Sequence, residues 1–178
     1  MDDIFERINR YAADGDLKTI FELLVKTQEP AVREAAFVQA VRLGAPEVVE
    51  NFISLLSSPE AHLRNLAVEA LQELGVMYMD RLEQLLHNSD PDLKILCFNI
   101  LAGIRSEAAV GLVRRFLERL ISSGEVENQN VLAAALECLG VLGGPEDVDL
   151  LDRVAGTIAK FGDYPYLRYV LELVRKSL

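Results

Sequence analysis

The residues that could do chemistry are few. Histidine occurs twice, at His62 and His87, with Glu60, Asp90 and Asp92 close by in sequence. Neither a His-x3-His nor a His-Glu spacing is present, so the pattern that sets metal ligands one turn apart on a helix is missing. Cys97 and Cys138 sit inside the apolar stretches KILCFNIL and AALECLGV, spaced neither as a redox pair nor as a zinc site. They read as small buried hydrophobes in a reducing compartment. No Ser-His-Asp or Cys-His nucleophile arrangement can be assembled from two histidines that lie near the helix-to-helix turns, and no Gly-rich phosphate loop occurs. The sequence predicts no catalytic residue, no cofactor and no metal. What remains is a row of cations, Arg33, Arg64, Lys94 and Arg168, of a kind that can clamp carboxylates or phosphates.

These cations stand at one position of a recurring segment: VREAAFVQAVRLG (32–44), LRNLAVEALQELG (63–75), LKILCFNILAGIR (93–105), VLAAALECLGVLG (131–143) and the shorter LRYVLELVRKSL (167–178). Leu132 takes the cation's place in the fourth copy. Successive copies are 31, 30, 38 and 36 residues apart. The stretches that follow also match, as in GAPEVVENF (44–52) beside GGPEDVDLL (143–151). A period of thirty-odd residues built of two helices is the mark of a helical solenoid.

Local signals agree with that period. Pro30, Pro46, Pro59, Pro91, Pro145 and Pro165 each stand just before a stretch of helical apolar spacing and none interrupts one. Proline suits the first helical position, where its missing N–H has no intrahelical partner. Asp90 and Ser58, each preceding a proline, add N-cap acceptors. Apolar residues recur at 3.6-residue spacing, as in Leu17, Ile20, Phe21 and Leu24, and no strand alternation appears. The spacing predicts eleven helices over about 3–13, 17–27, 30–43, 46–57, 60–74, 78–88, 91–104, 106–122, 128–142, 146–161 and 165–177.

The chain resembles the HEAT repeats, especially the bacterial phycobilisome-lyase-like variety. The resemblance rests on the apolar first helix, the turn ending in Asp-Pro or Ser-Pro, and the Val/Leu-Arg step. Small residues such as Ala36 and Ala67 and the closing Leu-Gly at 43–44, 74–75 and 142–143 complete it. It implies an all-α, right-handed α–α superhelix in one domain, 1–178, with helix pairs at 17–44, 45–75, 76–105, 106–143 and 144–178 and a capping helix in 1–16. Arg105 departs from the pattern where the third copy should close in glycine, and the fifth copy is truncated. It also implies that the basic row pairs with neighbouring carbonyls or acids, and that second helices line a concave face.

Placing Val32, Leu63, Leu93 and Val131 at zero on a helical wheel puts offsets of 3, 4, 7, 8 and 11 on the core side, where Gln39 is the one polar residue of its helix. Offsets of 2, 6 and 9 fall opposite, at Glu34, Val38 and Val41, at Asn65, Glu69 and Gln72, at Ile95, Asn99 and Ala102, and at Ala133, Glu137 and Gly140. The partner-facing candidates are Glu34 and Val38, Asn65 and Glu69, Ile95 and Asn99, and Glu137. At offset 5 Phe37, Val68, Phe98 and Leu136 form an apolar stripe, either a groove for a peptide or packing between helices. Exposed rings would be costly without a partner, since burying one is worth roughly 2–3 kcal/mol. The polar SSGEVENQN (122–130) reads as a loop or a projecting insertion. Tyr164, Tyr166 and Tyr169 suit a terminal cap or end-to-end self-association.

Composition narrows the function. The 178 residues carry 28 acidic and 18 basic groups, a net charge of −10, while residues 160–178 run slightly basic. Such a field repels phosphate backbones, and no Lys/Arg run opposes it, which disfavours nucleic acid. No apolar run is long enough to cross a bilayer, and MDDIFERINRY is acidic where a signal peptide is basic, so a cytoplasmic protein is expected. The sequence reading is a non-enzymatic scaffold for a protein or peptide partner. The alternative is an accessory factor for enzyme maturation or bilin-type cofactor attachment.

Overall fold

A computed structural model describes residues 3–88, 90–124 and 128–178. Among them every regular element is helical, and the chain divides into two compact units, the second beginning at Gly75. The first unit holds α1 (Ile4–Ala13), α2 (Leu17–Lys26), α3 (Pro30–Leu43), α4 (Pro46–Leu55) and α5 (Ala61–Leu74). The second holds a 3-10 turn (Gly75–Tyr78), α6 (Met79–Leu86), α7 (Pro91–Ile104), α8 (Glu107–Ser123) and α9 (Gln129–Leu142). A further 3-10 turn (Pro145–Asp147), α10 (Val148–Phe161) and α11 (Pro165–Ser177) follow.

The prolines act largely as the sequence requires. Pro30, Pro46, Pro91 and Pro165 each open a helix, whereas Pro145 opens a 3-10 turn and Pro59 lies two residues ahead of α5. Ser58 therefore caps a turn: its hydroxyl accepts from the Glu60 N–H at 3.2 Å. Asp90 accepts from the Asp92 N–H at 2.9 Å, and Ser106 caps α8 through the Ala109 N–H at 3.1 Å. The Asp90 and Ser106 acceptors each satisfy a donor that the first helical turn leaves without a partner.

In the first unit α2 packs on α3 and α4 on α5, while α3 also touches α5 and α1 lies against α2 and α3. Its centre is Phe52, fully buried, with Phe21 edge-on at 5.2 Å and Phe37 at 6.2 Å. Gln39, the polar residue on the core side, meets Asn9 of α1 through a 3.0 Å hydrogen bond. In the second unit α6 pairs with α7, α8 with α9 and α10 with α11. Two further rows run through it: α7, α9 and α11 side by side, and α6, α8 and α10. Helix α9 is the most enclosed, with Val131 through Leu136, Cys138 and Leu139 all buried.

That enclosure explains Leu132, since a guanidinium fully buried there would be uncompensated. It also explains the thiols. Cys97 donates to the Leu82 carbonyl at 3.3 Å, and burial pushes both thiols up, Cys138 to about 12. They are inert packing groups.

Candidate functional site

The basic row is built into the turns. Arg33 donates through Nη2 to the Thr27 carbonyl at 2.5 Å, and Arg64 through Nη1 to the Ser58 carbonyl at 2.7 Å and the Pro59 carbonyl at 3.1 Å. Both reach back six residues to the turn before their own helix, where carbonyls have no helical donor. Arg168 instead meets the Asp163 carboxylate at 2.9 Å. These arginines brace local turns and do not converge on a ligand.

The outward face follows the wheel in part. Offset 6 is exposed in all four copies, at Val38, Glu69, Asn99 and Glu137, and Glu34 and Asn65 are exposed at offset 2. Ile95 is half-buried and Ala133, also at offset 2, is buried, while Val41, Gln72, Ala102 and Gly140 at offset 9 are all half-buried. The apolar stripe is different. Phe37, Phe98 and Leu136 are buried and Val68 is half-buried, so the stripe is packing and not the floor of a groove. Phe37 lies on Phe52 of α4, and Phe98 meets Phe116 of α8 at 5.0 Å, edge to face. A wheel drawn for one core misplaces them, because each of these helices is covered by neighbours on more than one side. Val141, 55% exposed one turn beyond Glu137, belongs to the outward face and escaped the wheel offsets.

Leu167, Val170 and Val174 are the buried residues of α11, Val174 lying where it would meet a Cβ added at Gly140 of α9, while Tyr166 and Tyr169 point outward and Tyr164 is half-buried. Tyr166, Tyr169 and Leu173 make one exposed stripe at helical spacing. Within 122–130, residues 125–127 lie outside the described residues. His62 has its Nδ1 3.6 Å from Glu60, both exposed, and no cluster of three metal-ligating side chains occurs among the described residues.

Sequence reasoning missed a set of ion pairs that stitch the second unit. Arg114 of α8 holds Asp147 in a fork, Nε to Oδ1 at 2.7 Å and Nη2 to Oδ2 at 2.9 Å, and also reaches Glu107 at 2.9 Å and Glu146 at 3.1 Å. Asp147 is 3% exposed. The Arg114 hydrogen bonds, aided by the Gly144 N–H at 3.1 Å, hold its carboxyl below the usual range despite burial. Arg115 of α8 meets Glu83 of α6 at 3.2 Å, and Arg153 of α10 forks onto Glu118 of α8 at 2.9 and 2.5 Å. Partners stand 32, 33 and 35 residues apart, so the signal available in the sequence was opposite charges separated by one repeat.

One arginine of α8 breaks that rule. Arg119 donates through Nη1 to His87 Nε2 at 2.6 Å and lies 6.0 Å from the centre of the Phe116 ring. His87 Nδ1 is 2.8 Å from the Glu83 carbonyl, which can only accept. Nδ1 therefore carries the hydrogen and Nε2 offers the lone pair. Beside this pair a cleft of about 280 Å³ opens between Leu86, Phe116 and Leu120, with His87, Lys94 and Arg119 at its polar side.

No family model matches the chain, and no curated protein does. A solved structure described as an engineered protein aligns over 97% of this chain and 83% of its own length, at 15% identity and a TM-score of 0.47. At that level of similarity it transfers neither architecture nor activity.

Proposed function

We propose that the protein is a non-enzymatic, HEAT-like helical scaffold that binds a protein or peptide partner through the outward face of its second helices. The observation that carries this reading is the repeated register: offset 6 faces solvent on α3, α5, α7 and α9 while offset 5 is buried or half-buried on all four. Within each unit the second helices expose the same register position, which supports a reading as a repeat protein that uses such positions for recognition. Solenoid packing is supported within the second unit by α7, α9 and α11 lying side by side. Glu34, Val38 and Glu69 are exposed in the first unit and Glu137 and Val141 in the second, so each unit offers acidic and apolar groups suited to a basic amphipathic segment.

The test is photocrosslinking from position 38 in native lysate, with Val38 replaced by a benzophenone amino acid. Recurrent capture of one protein, lost in Glu34→Lys and kept in Glu22→Lys on α2, is the expected result. Capture of no protein together with turnover of a small molecule by the purified chain would overturn the reading.

A further inference from the structure

We infer that the cleft between α6, α7 and α8 is a binding site for a small organic anion, a carboxylate or phosphate carried on a compact apolar body. This site is separate from the outward face of the second helices, and its argument begins with Arg119. The other arginines of α8 are matched by carboxylates, Arg114 by Asp147, Glu107 and Glu146, and Arg115 by Glu83. Arg119 faces a neutral imidazole nitrogen and a phenyl ring instead. Glu83, the nearest acid on α6, is already engaged by Arg115, and its carbonyl fixes His87.

The guanidinium is therefore oriented but not neutralised. His87 Nε2 takes one of its donors and its Cζ lies 6.0 Å from the centre of the Phe116 ring, which leaves its remaining N–H groups for an acceptor. Lys94 adds a second cation from α7. An anion entering here would meet two positive groups without first displacing an internal carboxylate from Arg119. Such preorganisation lowers the cost of binding.

Shape supplies the rest of the specificity. Leu86, Phe116 and Leu120 form an apolar wall, and about 280 Å³ is close to the lower end of small-molecule sites. A bare inorganic ion would leave that wall wet. A group the size of a benzene ring would cover it while its carboxylate or phosphate lies on Arg119.

The experiment is a two-dimensional NMR titration of the full chain in low-chloride buffer with phenyl phosphate, benzoate, inorganic phosphate and benzyl alcohol. The expected result is saturable shifts of the Arg119 side chain, the His87 ring and the Leu86 and Leu120 methyls by phenyl phosphate or benzoate below about 5 mM. Arg119→Gln, an exposed position, should weaken binding about tenfold or more, and Arg42→Gln on α3 should leave it unchanged. Four outcomes would overturn the site: no shifts from either organic anion, equal binding of benzyl alcohol, equal binding of inorganic phosphate, or full affinity in Arg119→Gln. If that variant loses its fold, the comparison of phenyl phosphate with benzyl alcohol and inorganic phosphate on the unaltered chain decides alone.

Discussion

Arg105 shows what a single backbone position costs. It closes α7 at φ 49° and ψ 51°, the left-handed region that Gly44 occupies at the end of α3 and that Gly75 enters after α5. A side chain there costs about 1 kcal/mol, and glycine removes that cost while adding some unfolded-chain entropy. Arg105→Gly is expected to raise stability by about 0.5–1 kcal/mol, read as a higher urea midpoint with unchanged slope. The closing glycine of α9 has a different cause. Gly143 is extended at φ −80°, and a Cβ there would come within 2.6 Å of Asp147 Oδ2. One sequence motif therefore hides two physical requirements. Asp147 itself carries a pH signature. Its folded carboxyl is depressed chiefly by Arg114, so the stability it lends is complete above about pH 4 and is lost as pH falls through the depressed value. Asp147→Asn should cost about 2–4 kcal/mol at pH 7, because Arg114 loses its most buried partner. As pH falls below about 4 the variant should lose less stability than the parent, measured by urea unfolding at each pH.

At the scale of elements the helices were readable because their signals are local. Proline at the first position, an acceptor before it and 3.6-residue apolar spacing place the predicted bounds within about two residues of the observed ones throughout. What each helix face meets was not local. Phe98 falls on the wheel away from the main core, yet it is 1% exposed because Phe116 of α8 covers it. Val38 falls one residue further round its own helix and is 49% exposed. Phe98→Ala should therefore lower stability by about 3–5 kcal/mol, whereas Val38→Ser should change it by no more than about 0.5 kcal/mol. Equal effects in thermal unfolding would contradict the packing assigned to the stripe. The ion pairs joining α6, α8 and α10 were hidden for the same reason: each member is an ordinary surface charge until the repeat period brings its partner opposite.

Across the whole molecule the acidic balance sets which ligands can approach. A net charge of −10 acts over the Debye length, roughly 10 Å at 0.1 M salt, so a long polyanion meets repulsion along its length. A small anion in the α6–α8 cleft meets chiefly the nearby Arg119 and Lys94, well within that distance. The same chain can therefore hold a phenyl phosphate and reject a phosphate backbone. For the partner proposed above, the overall field would favour a basic amphipathic segment, as would the exposed glutamates of each unit. A 20-nucleotide DNA should consequently show no mobility shift with the protein at about 20 mM salt, where attraction to any basic stripe would be strongest. A fluorescent Lys-rich helical peptide should bind under those conditions and release as salt approaches about 0.5 M. A DNA shift that disappears on adding salt would mean that the cations act as a continuous surface, contrary to the carboxylate pairing of Arg114, Arg115, Arg153 and Arg168.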